Sequence, residues 1–160
     1  MVHLRPERPV VSFTFDDFPR SAHSVGGRIL QEAGARGTYY VALGLMNQRI
    51  PAGDAFSRED LEAVVADGHE LGCHTYDHCH AWNTPATEFE RSVLRNREEL
   101  ERLLPGNRFE SLSYPVALPR PATKRRVARL FPCCRSGGWS FNLGEVDAVN
   151  LQAIFLEKTG

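Results

Sequence analysis

The sequence predicts an α/β fold organised around a parallel sheet. Short β-branched and aromatic runs alternate with segments of helical spacing, the order expected of repeated strand–helix units. Residues able to do chemistry, namely Asp16 and Asp17, His74, and Tyr114 with Pro115, fall where those strands should end. In parallel α/β folds, ligands gather at the carboxyl ends of strands. That agreement in position is stronger evidence than any one motif.

Residues 10–15 (VVSFTF) are β-branched and aromatic and predict a buried first strand, ended by Asp16 and Asp17. A helix is expected over residues 22–33, stopped by Gly34. Residues 37–43 (GTYYVAL) predict a second strand. Ser57, with Asp60 three residues on, makes a capping box that opens a helix to Asp67, closed by Gly68. Residues 69–73 predict a short third strand. Thr84 and Pro85 start a helix that should reach Leu104, with Phe89, Val93, Leu100 and Leu103 on one face. Pro105 and Gly106 end it. Strands are expected over residues 111–114 and 133–136, a helix over 123–131, and a sixth strand over 153–156.

The chain has 160 residues, enough to bury a core, and is expected to form one domain over residues 1–160. Its formal net charge of −1 gives no reason to expect nucleic acid or an anionic membrane as partner. Lys124, Arg125, Arg126 and Arg129 read as the solvated face of a helix. No apolar run is long enough to span a bilayer, and the polar start lacks a signal-peptide core. As written the chain reads as cytoplasmic, or secreted if a leader was removed. Cys73, Cys79, Cys133 and Cys134 are too few for a disulfide scaffold and form no C-x-x-C pair, so reduced thiols are expected.

The chemistry lies in a divided cluster. Asp16 and Asp17 follow the first strand, while His74 and His78 stand four apart after the third. Two imidazoles and a carboxylate can hold a divalent metal and leave a position for water. His74 and His78 would reach one point if their segment made one helical turn. One aspartate would bind the metal and the other take a proton. Each part also has a plainer reading: an Asp pair as a turn or cap, a His-x-x-x-His pair as surface or core. His80 would point elsewhere, His69 would pack or hydrogen-bond beneath the site, and His23 could line a cleft.

Together these residues resemble the NodB-like polysaccharide deacetylases, carbohydrate esterase family 4. Thr14-Phe15-Asp16-Asp17 is similar to the family's Thr-Phe-Asp-Asp. The run from Gly68 through His69, Glu70, Leu71, Gly72, Cys73 and His74 to His78 resembles its Gly-His-Glu-Ile-Gly-Asn-His-Ser/Thr-x-x-His. Ser113-Tyr114-Pro115 is a weaker third match, and Gly37-Thr38-Tyr39-Tyr40 resembles its Ala-Thr-Phe-Phe strand. The resemblance implies a distorted (β/α) barrel and a metal site of Asp17, His74 and His78. The metal would be zinc, with cobalt or nickel as alternatives. It implies Asp16 as general base, the Val116 N–H as oxyanion donor, and removal of acetyl groups from an N-acetylated glycan.

The departures from the pattern are specific. Ser113 stands where the family carries an arginine that pairs with the base, which leaves Arg120 or Arg135 as substitutes. Val116 replaces a tyrosine. Trp139 is the nearest candidate for an apolar wall against the acetyl group, or else it is core. No histidine follows His80, where the family carries a late one acting as acid. The expectation is therefore a barrel without its last strand–helix unit. Its exposed edge would invite a homo-oligomer. The alternatives are a non-catalytic carbohydrate- or metal-binding relative and an amide hydrolase on a small non-sugar compound.

Overall fold

The computed structural model describes residues 1–116 and 118–156. Its centre is a five-stranded parallel sheet in the order β2 (Phe13–Phe15), β3 (Gly37–Val41), β6 (Glu70–Cys73), β7 (Ser111–Ser113), β8 (Cys133–Arg135). Two antiparallel ribbons flank it. One pairs β1 (Val2–Leu4) with β9 (Gly144–Val146), the other β4 (Arg49–Ile50) with β5 (Gly53–Asp54). Helices α1 (Arg28–Glu32), α2 (Arg58–Ala66), α3 (Ala86–Leu103) and α4 (Pro121–Val127) connect the sheet strands. The sheet is a curled half-barrel, an α/β fold as the sequence predicts.

The central strands are buried on both faces, as parallel sheets require. All five residues of β3 and all three of β7 are buried. On α3, Phe89, Val93, Leu100 and Leu103 recur at helical spacing and all lie in the core. Ser57 caps α2 by accepting from the Asp60 N–H, while Asp60 accepts from the Ser57 N–H. Gly68, at φ +75°, then turns the chain into β6. At Gly72 a Cβ would sit 2.3 Å from the Tyr40 ring, so only glycine lets that ring lie across β6.

Several elements differ from the sequence expectation. The first strand begins at Phe13, opposite Gly37, because β2 is an edge strand and Val10 to Ser12 meet no partner. Val10 and Val11 are exposed. The helix expected from residue 22 opens with a π-helical stretch, Ala22–Gly27, before α1. Residues 153–156 form no strand. The chain instead touches the β8 edge earlier, at Leu151, which bridges Arg135 and exchanges backbone hydrogen bonds with Cys134 and Ser136. The β1–β9 ribbon was not anticipated at all. No helix among the described residues is long and apolar enough to cross a membrane.

Candidate metal centre

The site stands at the carboxyl ends of β2, β6 and β7. In a continued strand, adjacent side chains point to opposite faces. Asp17 (φ 59°) and Phe18 (φ 45°) both adopt left-handed backbone, which ends that alternation. Asp16 and Asp17 therefore both serve the site, and Phe18 is fully buried against Tyr39 and Phe56.

The segment after β6 is not the helical turn expected from His-x-x-x-His spacing. It is a loop with positive φ at Thr75 (60°) and His78 (49°). The loop nonetheless brings both rings to Asp17. His78 Nε2 lies 3.0 Å and His74 Nε2 3.5 Å from Asp17 Oδ1. The ligand atoms of Asp17, His74 and His78 all lie within 4.8 Å of one another.

Two observations fit this group to a cation. His74 Nδ1 lies 2.8 Å from the Ser113 carbonyl and can only donate to it, so the Nε2 lone pair faces the cluster. Asp17 Oδ1 is buried, yet neither nearby ring gives it a well-formed hydrogen bond. A buried carboxylate oxygen beside two imidazole nitrogens is a donor set suited to a positive charge. The neighbouring His78 ring holds the Asp17 carboxyl below the ordinary carboxylate range, against the opposing effect of burial. The Asp17 carboxylate raises His78, and burial lowers His74.

A second group, His23, Asp67 and His69, has similar spacing but different chemistry. The Gly37 N–H donates to His69 Nδ1 at 3.0 Å, and burial keeps the ring neutral. Its proton must then sit on Nε2, the nitrogen that faces the group, which removes the lone pair a metal would need. His23 is occupied by Asp67 at 2.9 Å. His69 thus hydrogen-bonds at the start of β3, at the opposite end of the strands from Asp17, His74 and His78, and not under that group as the sequence suggests.

Asp16 is paired with Arg135, whose side chain is 12% exposed. Of the two arginines considered from sequence, Arg120 lies instead at the start of α4. Val116 follows β7 in a turn, exposed, with φ 57°. Trp139 is 73% exposed and pairs with Phe155, so it is no core residue. All four cysteines are free. Burial pushes the Cys73 thiol up to about 11, which keeps it protonated.

Sequence reasoning missed the supports on α3. Ser92 Oγ accepts from the Tyr76 and Asp77 N–H groups and donates to Asp77 Oδ2. Asn96 donates to the Val41 carbonyl and accepts from the Leu43 N–H. The signal was present: Ser92 and Asn96 are polar residues four apart on the same buried face as Phe89, Val93 and Leu100.

The sequence matches the family described as polysaccharide deacetylase across residues 3–131. The chain belongs to the polysaccharide deacetylase family. Solved structures of similar fold agree. IcaB from Ammonifex degensii is 20% identical with a TM-score of 0.77, covering 91% of this chain and 66% of its own. The Streptococcus pyogenes deacetylase PplD, in complex with acetate, is 19% identical with a TM-score of 0.81, covering 93% and 65%. A family 4 carbohydrate esterase from Streptomyces lividans, also with acetate, is 17% identical with a TM-score of 0.62, covering 78% and 60%. At such identities the likeness is one of fold, and the chain spans less than two thirds of each relative's length. No curated protein matches it. In this member of the family, the half-barrel and the strand-end cluster are the parts that bear on function.

Proposed function

We propose that this chain is a metal-dependent hydrolase that removes N-acetyl groups from an N-acetylglucosamine-containing polysaccharide or oligosaccharide. The observation that carries the reading is the convergence of Asp17, His74 and His78 at the strand ends of a polysaccharide deacetylase domain. Two of the similar structures are described as acetate complexes, and acetate is what this reaction releases.

Asp17, His74 and His78 would hold the ion. Two imidazoles and a carboxylate suit zinc, and also cobalt or nickel. When bound there, such an ion supplies Lewis acidity that polarises the substrate carbonyl and eases deprotonation of water. The chain supplies the rest. Arg135 occupies Asp16 Oδ1, and Oδ2 has no hydrogen-bond partner among the described residues. Oδ2 is the oxygen that takes the proton of the attacking water. The Val116 N–H donates to the carbonyl oxygen as charge develops on it. Left-handed backbone at a β-branched residue is strained, and here it fixes the direction of that N–H.

Acetate release from N-acetylated chito-oligosaccharides, measured with and without a chelator, tests the reading. Asp17→Ala should lose both metal and turnover. Asp16→Asn should keep its metal and lose about 10²- to 10⁴-fold in kcat. Full metal content in Asp17→Ala would overturn the ligand assignment, and chelator-resistant turnover would overturn metal dependence.

A further inference from the structure

We propose that the main-chain N–H of Ala81 is the positioning group for the oxyanion donor: by holding the Pro115 carbonyl it aims the Val116 N–H. The proposal rests on the Val116 N–H being that donor.

The carbonyl of Pro115 and the N–H of Val116 belong to one peptide unit. That unit is trans and planar, so its C=O and its N–H point in opposite directions. The Ala81 N–H donates to the Pro115 oxygen at 3.1 Å. Whatever fixes the oxygen on one side therefore fixes the N–H on the other. The same bond polarises the unit and makes its N–H a stronger donor. Ala81 and Pro115 are both buried, so water does not compete for this bond.

The unit needs such a hold. In a turn that starts at proline, the central peptide has two orientations related by a half-turn. One gives the next residue a negative φ, the other a positive φ. The positive form favours glycine, and a β-branched side chain prefers the negative one. Val116 nevertheless has φ 57°. A half-turn of this peptide would relieve the valine. It would also break the Ala81 bond and swing the Val116 N–H to the opposite side.

Ala81 lies three residues after His78, in the same loop. The Cys79 N–H donates to Thr75 Oγ1 at 3.2 Å, and the Thr84 N–H to the His80 carbonyl at 3.0 Å, so the loop is braced on both sides of Ala81. The segment that carries a proposed ligand thus also grips the turn that carries the proposed donor. A plain tether between loop and turn is the competing account. Cutting a tether lowers stability and metal content. Removing a positioning group lowers kcat and moves the Val116 N–H.

Lactic acid in place of Ala81, introduced by nonsense suppression, turns that amide into an ester. It deletes one N–H and keeps the methyl group. The exchange should lose about 10²-fold in kcat for acetate release, the scale of one lost oxyanion donor, with KM and metal content nearly unchanged. The Val116 amide nitrogen resonance should shift, and a crystal structure should show Val116 at negative φ. In Val116→Gly, where positive φ carries no strain, the same exchange should cost about tenfold less. The ester also weakens the His80 carbonyl as acceptor for Thr84. Lactic acid in place of Thr84 controls for this and should stay near wild-type kcat. Wild-type kcat in the Ala81 exchange would overturn the proposal. So would an equal loss at Thr84, an undiminished loss in Val116→Gly, or a loss that tracks melting temperature and metal content. A wild-type chain that releases no acetate would overturn the proposed function instead. The crystal structure of the Ala81 exchange would still decide the positioning role, since an unmoved Val116 N–H would refute it.

Discussion

Ser113 shows how much a single residue can hold. Its backbone carbonyl accepts from His74 and its hydroxyl accepts from Arg135, so one residue, through main chain and side chain, holds both the His74 ring and the partner of Asp16. The three residues proposed as ligands differ in protonation, and this would set the pH response of metal uptake. Burial keeps His74 neutral, and Asp17 is held ionised. His78 is raised above its ordinary value of 6.5 by the Asp17 carboxylate. In the metal-free protein the His78–Asp17 pair contributes stability that is complete below that ordinary value. It is lost as pH rises through the raised one. A metal must displace the His78 proton, so affinity should be flat above the raised value and fall about tenfold per pH unit below it. Competition with a chromophoric chelator across that range measures this. A pH-independent affinity would mean that His78 is not a ligand.

At the scale of elements, α3 is the scaffold of the metal loop. Ser92→Ala removes the hydroxyl that holds the Asp77 N–H, while the Tyr76 N–H keeps the Ser92 carbonyl. It should weaken metal affinity about tenfold, the scale for supports behind ligands, with little loss of stability. Asn96→Ala leaves the Leu43 N–H unpaired in the core, while the Val41 carbonyl keeps the His74 N–H. It should cost about 1–3 kcal/mol, read from the denaturation midpoint. Equal effects of the two variants on metal affinity would refute this division. Elements of this kind were legible in the sequence where one local rule decides, as at the Ser57 cap and the spaced apolar face of α3. Where a distant partner decides, the sequence was silent or misleading. Residues 10–12 have β propensity but no neighbouring strand, and the β1–β9 ribbon joins segments from opposite ends of the described chain. At the site, residue types and spacing pointed to Asp17, His74 and His78, which the structure brings together. The left-handed residues that aim them and the arginine that reaches Asp16 from β8 arise from the curl of the sheet.

The whole molecule couples that curl to the metal centre. Asp17 extends from β2, at one end of the sheet, and His74 and His78 follow β6 at its middle. An ion held by all three would strengthen a link that the His78–Asp17 pair alone now makes between the end and the middle of the sheet. Binding should therefore stabilise the whole fold and not the loop alone. At a free zinc concentration of about 100 times Kd, linkage gives about 2.7 kcal/mol. For a chain of this size each kcal/mol moves Tm by about 2–4 °C, so zinc should raise Tm by about 5–11 °C. Thermal scans with and without zinc test this. Asp17→Ala should abolish the shift, because it removes the only ligand from β2. Asp16→Asn should keep it, because Asp16 binds Arg135 and not the metal. The group of His23, Asp67 and His69 bears directly on the result. If Asp17→Ala kept the full shift, zinc would be binding elsewhere, and His69 would have to surrender the Nε2 proton that the Gly37 N–H now dictates.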